Sequence, residues 1–143
     1  MSNLAPPPIQ EPVTDQEGFP SVPWIMFFNS VFQGDYGTDW TPIFSNLTAV
    51  GTPTLTGNYK LISRQLVFFR VTVTPATSTT ATASTTTIDN FPMTFANNGI
   101  VFAVHSNTGT ISGMVNATDN KIYVPAWSAI TTPVTIIGLA EVR

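Results

Sequence analysis

The chain is predicted to fold as all-β, an antiparallel β-sandwich or jelly-roll-like module behind an extended N-terminal arm and one short helix. Three observations predict it. Apolar residues recur with period two in several short runs, and turn-forming Gly, Pro, Asn and Asp separate these runs every 8–12 residues or so. Thr, Ser and Asn stand where charge is usual. Charged residues are 9% of the chain and hydrophobic ones 43%, whereas an ordinary soluble domain carries roughly 25% charge. Such a chain is expected to stay in solution through hydroxyls and amides and to hide apolar surface against copies or partners.

Residues 1–38 read as an N-terminal anchoring arm that ends in a short aromatic helix. Pro6, Pro7, Pro8, Pro12 and Pro20 keep the backbone extended and remove ladder donors. Few side chains in residues 1–21 can pack with one another, which leaves disorder or a course along a neighbour. Ser21 can cap a helix and Pro23 suits its first turn. Trp24, Phe27, Phe28 and Val31 then share one face over Trp24–Phe32, and Gly34 follows where a helix should stop. A helix of this length does not persist alone, so these four residues are the candidate docking face. The surface they meet is either the protein's own β module or another chain.

Residues 39–143 read as the β-sandwich module. Between Gln65 and Thr74, Val67, Phe69, Val71 and Val73 alternate with Phe68, Arg70, Thr72 and Thr74, the pattern of a strand with one core face and one wet face. Ile100, Phe102 and Val104 repeat it, as do Val134, Ile136 and Gly138. Turns are expected at 51–53, 56–58, 97–99, 107–109, 118–120 and 131–133, with tight hairpins at Asn98-Gly99 and Asp119-Asn120. The tract Pro75–Thr87 is almost all Thr, Ser and Ala and resembles a linker in composition. Thr favours pleated backbone, however, and Ile88 and Phe91 resume core character directly after it. The tract is therefore expected to be structured, as an edge strand or a long hairpin tip.

The residues exclude most chemistries. With no Cys there is no disulfide, thiolate zinc site or Cys nucleophile. His105, the one histidine, has no second His, elbow motif or orienting carboxylate in the pattern around it. Asp35 and Asp39 lie in a Gly-rich stretch that suits turns and lacks the further oxygen ligands of a calcium loop. Trp40, Tyr59, Tyr123 and Trp127 offer faces that stack on sugars or pack in a core. The expectation is no catalytic, cofactor-binding or metal-ligating residue, no cofactor and no enzymatic activity. A net charge of −3 and a pI near 4.7 argue against nucleic acid, which needs Lys and Arg against its phosphates. The densest apolar run, Val22–Phe32, falls short of the roughly 20 residues of a membrane span, and the start has no signal-peptide pattern. The reading is a soluble protein made in a cytoplasm, without membrane insertion.

Four passages together resemble a β module of tailed-bacteriophage virion surfaces, found in tail fibres and in head or tail appendages. They are Trp40-Thr41-Pro42; Tyr59 followed by Leu66–Val73; Asn90-Phe91-Pro92-Met93-Thr94; and Lys121–Ala129 with the closing Val134–Gly138. They span most of the chain, and residues 12–20 with the aromatic stretch resemble the leader of such modules. The resemblance implies a homotrimer in the virion, contacts to other virion proteins through the arm, and no enzymatic residues. Shaft repeats and heptads are absent from the sequence. A short fibre, plug or capsid decoration protein therefore fits as well as a receptor-reaching fibre, and the alternative is a module that binds host-surface glycan.

Overall fold

Alternation becomes a sheet most plainly where the last strand runs between two earlier ones. In the computed structural model the described residues are Ser21, Pro23, 37–105 and 108–143, with side chains of 108–112 left aside. The predicted helix with Trp24, Phe27, Phe28 and Val31 lies outside them, as do nearly all of the arm, Asp15, Glu17 and Asp35. All elements among the described residues are strands: β1 (Thr38–Trp40), β2 (Phe44–Ser45), β3 (Thr48–Val50), β4 (Thr54–Leu61), β5 (Leu66–Thr74), β6 (Ser78–Ala81), β7 (Thr87–Ile88), β8 (Gly99–His105), β9 (Thr108–Asn116), β10 (Lys121–Tyr123), β11 (Trp127–Ile130) and β12 (Val134–Glu141). Nine form one antiparallel sheet in the order β1-β4-β5-β12-β8-β9-β10-β7-β2, and β11-β6-β3 form a second. The all-β class is as the sequence predicts, and the large curled sheet is consistent with a β-sandwich.

The curl follows from chain length. β1 and β2 lie at opposite edges of the nine-stranded sheet, yet only residues 41–43 join them. Laid flat, eight strand spacings of about 4.8 Å would put the edges about 38 Å apart. The four Cα steps from Trp40 to Phe44 reach at most about 15 Å. The sheet therefore bends until its edges meet. Asn90 fastens the seam, donating from Nδ2 to the Thr41 carbonyl at 2.8 Å and accepting the Ile43 N–H at 2.7 Å.

Inside the curl lie Val67, Phe69, Val71 and Val73 of β5, Val134 and Ile136 of β12, and Val101 and Ala103 of β8, all buried. Phe91 stacks on Phe95 at 4.8 Å and meets Trp40, Tyr59 and Phe69 at 5.3–5.6 Å between ring centroids. Two glycines make room for these rings. Trp40 lies over its cross-strand partner Gly57, and Phe69 over Gly138, so a Cβ at either glycine would clash with the ring.

This packing corrects three expectations. Residues 56–58 are no turn but the middle of β4, because Gly57 is the notch under Trp40. Asn98-Gly99 forms no hairpin: Gly99 opens β8, and the Asn98 side chain accepts the Ala117 N–H at 3.0 Å. In β8 the small Val101 and Ala103 face the core, while Ile100, Phe102 and Val104 face outward. Opposite Gly138 the interior is already filled by Phe69, so the larger residues of that strand turn away.

The Thr-rich tract is ordered, as expected, but it holds the centre of the second sheet rather than an edge: β6 pairs with β3 on one side and β11 on the other. Each buried hydroxyl has a partner. Thr79 Oγ1 accepts the Trp127 indole N–H at 3.2 Å, and Thr86 Oγ1 donates to the Asn46 carbonyl at 2.9 Å. Ala81 and Trp127 join the same core as the large sheet. Asp119-Asn120 does close the β9–β10 hairpin, with Asn120 at φ 58°.

Candidate functional site

Three neighbouring strands bring Asp39, Asn58 and Arg70 into one cross-strand row, since Asp39 faces Asn58 and Asn58 faces Arg70. The next row places Thr56 beside Thr72. With Trp40 and Thr41 these side chains line an open groove of about 370 Å³ where β1 stops short along β4. Carboxylate, amide, guanidinium and hydroxyls form a set that hydrogen-bonds polyhydroxylated or polar ligands. Trp40 Nε1 is buried without an acceptor among the described residues. Hydrolysis of glycosides needs two carboxylates about 5–9.5 Å apart, and among the described residues the groove holds one, Asp39. His105 is on β8, with β5 and β12 between it and β4. It follows Val101 and Ala103 on the strand, and no nucleophile pairs with it among the described residues.

At the far edge of the sheet Asp89 makes a polar clasp. It accepts from Ser45 Oγ at 2.5 Å and Thr87 Oγ1 at 2.6 Å, and Lys121 Nζ lies 3.4 Å away. Partial burial raises its pKa, but the two hydroxyls and Lys121 outweigh that, and the carboxyl titrates below the usual range. Nearby, the Tyr123 hydroxyl donates to Asp119 at 2.6 Å, and this bond raises the phenol pKa. Both carboxylates serve turns and strand edges.

Of the four aromatic residues suited to sugar stacking, Trp40 and Tyr59 pack edge-on in the aromatic cluster and Trp127 is buried. Tyr123 lies in a different part of the molecule, on β10. The structure does not bring these four to one exposed face. Among the described residues no three His, Asp or Glu are placed to hold a metal ion, and no helix is long and apolar enough to cross a membrane.

A surface that alternation alone concealed is the outer face of the large sheet. Its longest row runs Lys60, Phe68, Leu139, Ile100, Met114, Tyr123 over six strands. Below it lie Arg70, Ile137 and Phe102, and then Thr72, Thr135 and Val104. Ile100, Val104 and Met114 are 55%, 42% and 40% exposed. The signal was present in the sequence, because Phe68, Ile137 and Leu139 occupy positions that a wet face would fill with polar residues.

No protein-family model, curated protein or solved structure matches this chain.

Proposed function

We propose that the chain is a non-enzymatic structural component of a tailed-phage virion, attached through its N-terminal arm and displaying the β module outward as a short fibre, appendage or decoration protein. One observation carries this reading. The first three passages that resemble virion modules supply the central aromatic cluster: Trp40 from the first, Tyr59 and Phe69 from the second, Phe91 from the third. Those motifs are thus core-building, and they leave the chemistry-bearing residues in turns, clasps and strand edges. The reading includes a homotrimer made in the host cytoplasm, because a charge-poor module with an apolar outer face is suited to assembly. Its test is deletion of residues 1–21, followed by quantitative mass spectrometry of purified particles. The truncated protein should fold and be missing from the virion; incorporation at normal copy number would refute attachment through that segment.

A second reading, a module that binds host-surface glycan, is favoured by the groove of Asp39, Asn58 and Arg70. Titrating envelope oligosaccharides while following the Asn58 and Trp40 side-chain resonances distinguishes the two readings. Saturable shifts, lost in Arg70→Ala, would support glycan binding.

A further inference from the structure

We propose that the outer face of the large sheet is covered by this chain's own leader, with the stretch Trp24–Phe32 lying across Phe68, Leu139, Ile100 and Met114. The face has the composition of a covered surface. β8 turns its larger residues outward, and beside them β5 and β12 add Phe68, Ile137 and Leu139 where a wet face would carry polar residues, while Thr72, Thr74 and Thr135 keep one end of the face polar.

Where the leader joins the sheet identifies the occupant. Thr38 pairs with Tyr59, so the preceding residue comes level with Lys60, which heads the apolar row. Gly37, at φ 90°, fixes that entry, because a Cβ there would stand 2.3 Å from the Tyr59 carbonyl oxygen and 3.3 Å from Lys60 Cβ. From β4 to β9 the row crosses four spacings, about 19 Å. Trp24–Phe32 covers about 13 Å if helical and about 30 Å if extended, and the residues between Phe32 and Gly37 reach a further 13 Å or so. The tether is long enough, and its shortness gives the segment a high effective concentration at this face.

Charge points the same way. Residues 1–36 hold Glu11, Asp15, Glu17 and Asp35 and no Lys or Arg, while all five Lys and Arg lie from Lys60 onward. The leader is thus at minus four and the remainder at plus one. Lys60 and Arg70 lie in the first two rows of the outer face, and Arg70, exposed, makes no ion pair among the described residues. An acidic, aromatic segment complements an apolar row headed by Lys60, with Arg70 in the row below it, where Asp39 also lies.

The inference goes beyond attachment to a particle and leaves the proline-rich residues 1–21 for that role, so either idea can fail alone. The chain has no cysteine, so Ser30→Cys gives a single site for a nitroxide label in the full-length protein. The methyl signals of Ile100, Leu139 and Met114 should lose most of their intensity, while that of Val50 on β3 keeps its own. Mixing isotope-labelled chains with spin-labelled, isotope-free chains should produce no such loss. Absence of the effect in the doubly labelled chain would overturn the proposal. Its appearance in the mixed sample instead would assign the face to a second copy and overturn it equally. Adding Ile100→Glu and Leu139→Glu should restore the Met114 methyl signal while the strand signals of the module persist; a Met114 loss that remained would overturn docking through this apolar row.

Discussion

Replacing Gly138 by Ala sets two effects of opposite sign against each other. Alanine in place of a strand glycine gains roughly 0.5–1 kcal/mol in backbone entropy. Against this, the new Cβ would stand 2.0 Å from Phe69 Cζ, where ordinary contact begins at 3.4 Å, so the ring must retreat by roughly 1.4 Å. Phe69 is fully buried and backed by Phe91 at 5.4 Å, which leaves it little room to move. Overpacking of this kind costs about 1–3 kcal/mol. The clash wins, for a net loss of about 1–2 kcal/mol and a Tm lower by about 4–8 °C. Phe69→Leu alone should cost about 1–2 kcal/mol through lost volume and aromatic contact. In the double variant the Ala methyl occupies space the ring has vacated. The two losses should therefore fall short of adding by about 1 kcal/mol or more. Urea melts of the four proteins, followed by tryptophan fluorescence, measure the cycle. A Gly138→Ala protein as stable as the parent, or strict additivity in the double variant, would refute the notch.

Other expectations follow from the seam, the clasp and the surface. Asn90→Ala removes both hydrogen bonds that join the edges of the sheet and should cost about 1–3 kcal/mol in urea melts, with faster hydrogen exchange at Ile43 as its local sign. Asp89 has a depressed folded-state pKa, so its contribution is present above the unfolded value of about 3.9 and is lost as pH falls through the lower folded value. Asp89→Asn should flatten that acid limb of a stability–pH curve; an unchanged limb would remove Asp89 as its source. Light scattering on the gel-filtered protein should give three chain masses, and a monomer at micromolar concentration would rule out the trimer.

Strands whose neighbours do not interfere with their alternation were legible in the sequence. Val67 to Val73 and Val134 to Gly138 face the core in the predicted phase. Local reading failed where a distant residue decides. Thr56-Gly57-Asn58 has the composition of a turn, and only Trp40 across the strand pair explains why glycine is there. The phase of β8 depends on what fills the space opposite Gly138, which the residues of β8 themselves do not encode. The Thr tract has a linker's composition, and it becomes interior because its hydroxyls meet Trp127, Asn46 and Ala129. The groove was unreadable for a similar reason: Asp39, Asn58 and Arg70 carry no common motif and meet only through strand register.

The place of β12 between β5 and β8 also bears on how the protein is made. A ribosome delivers β5 and β8 well before the strand that joins them. Until Val134–Glu141 emerges, each presents an unpaired edge to solvent, rich in Val and Phe and almost without charge. Hairpins such as β4–β5 and β9–β10 form locally, but the closed module awaits its last strand. Nascent chains stalled before Val134 should therefore recruit holding chaperones, and translation rate through that stretch should govern how much protein escapes aggregation.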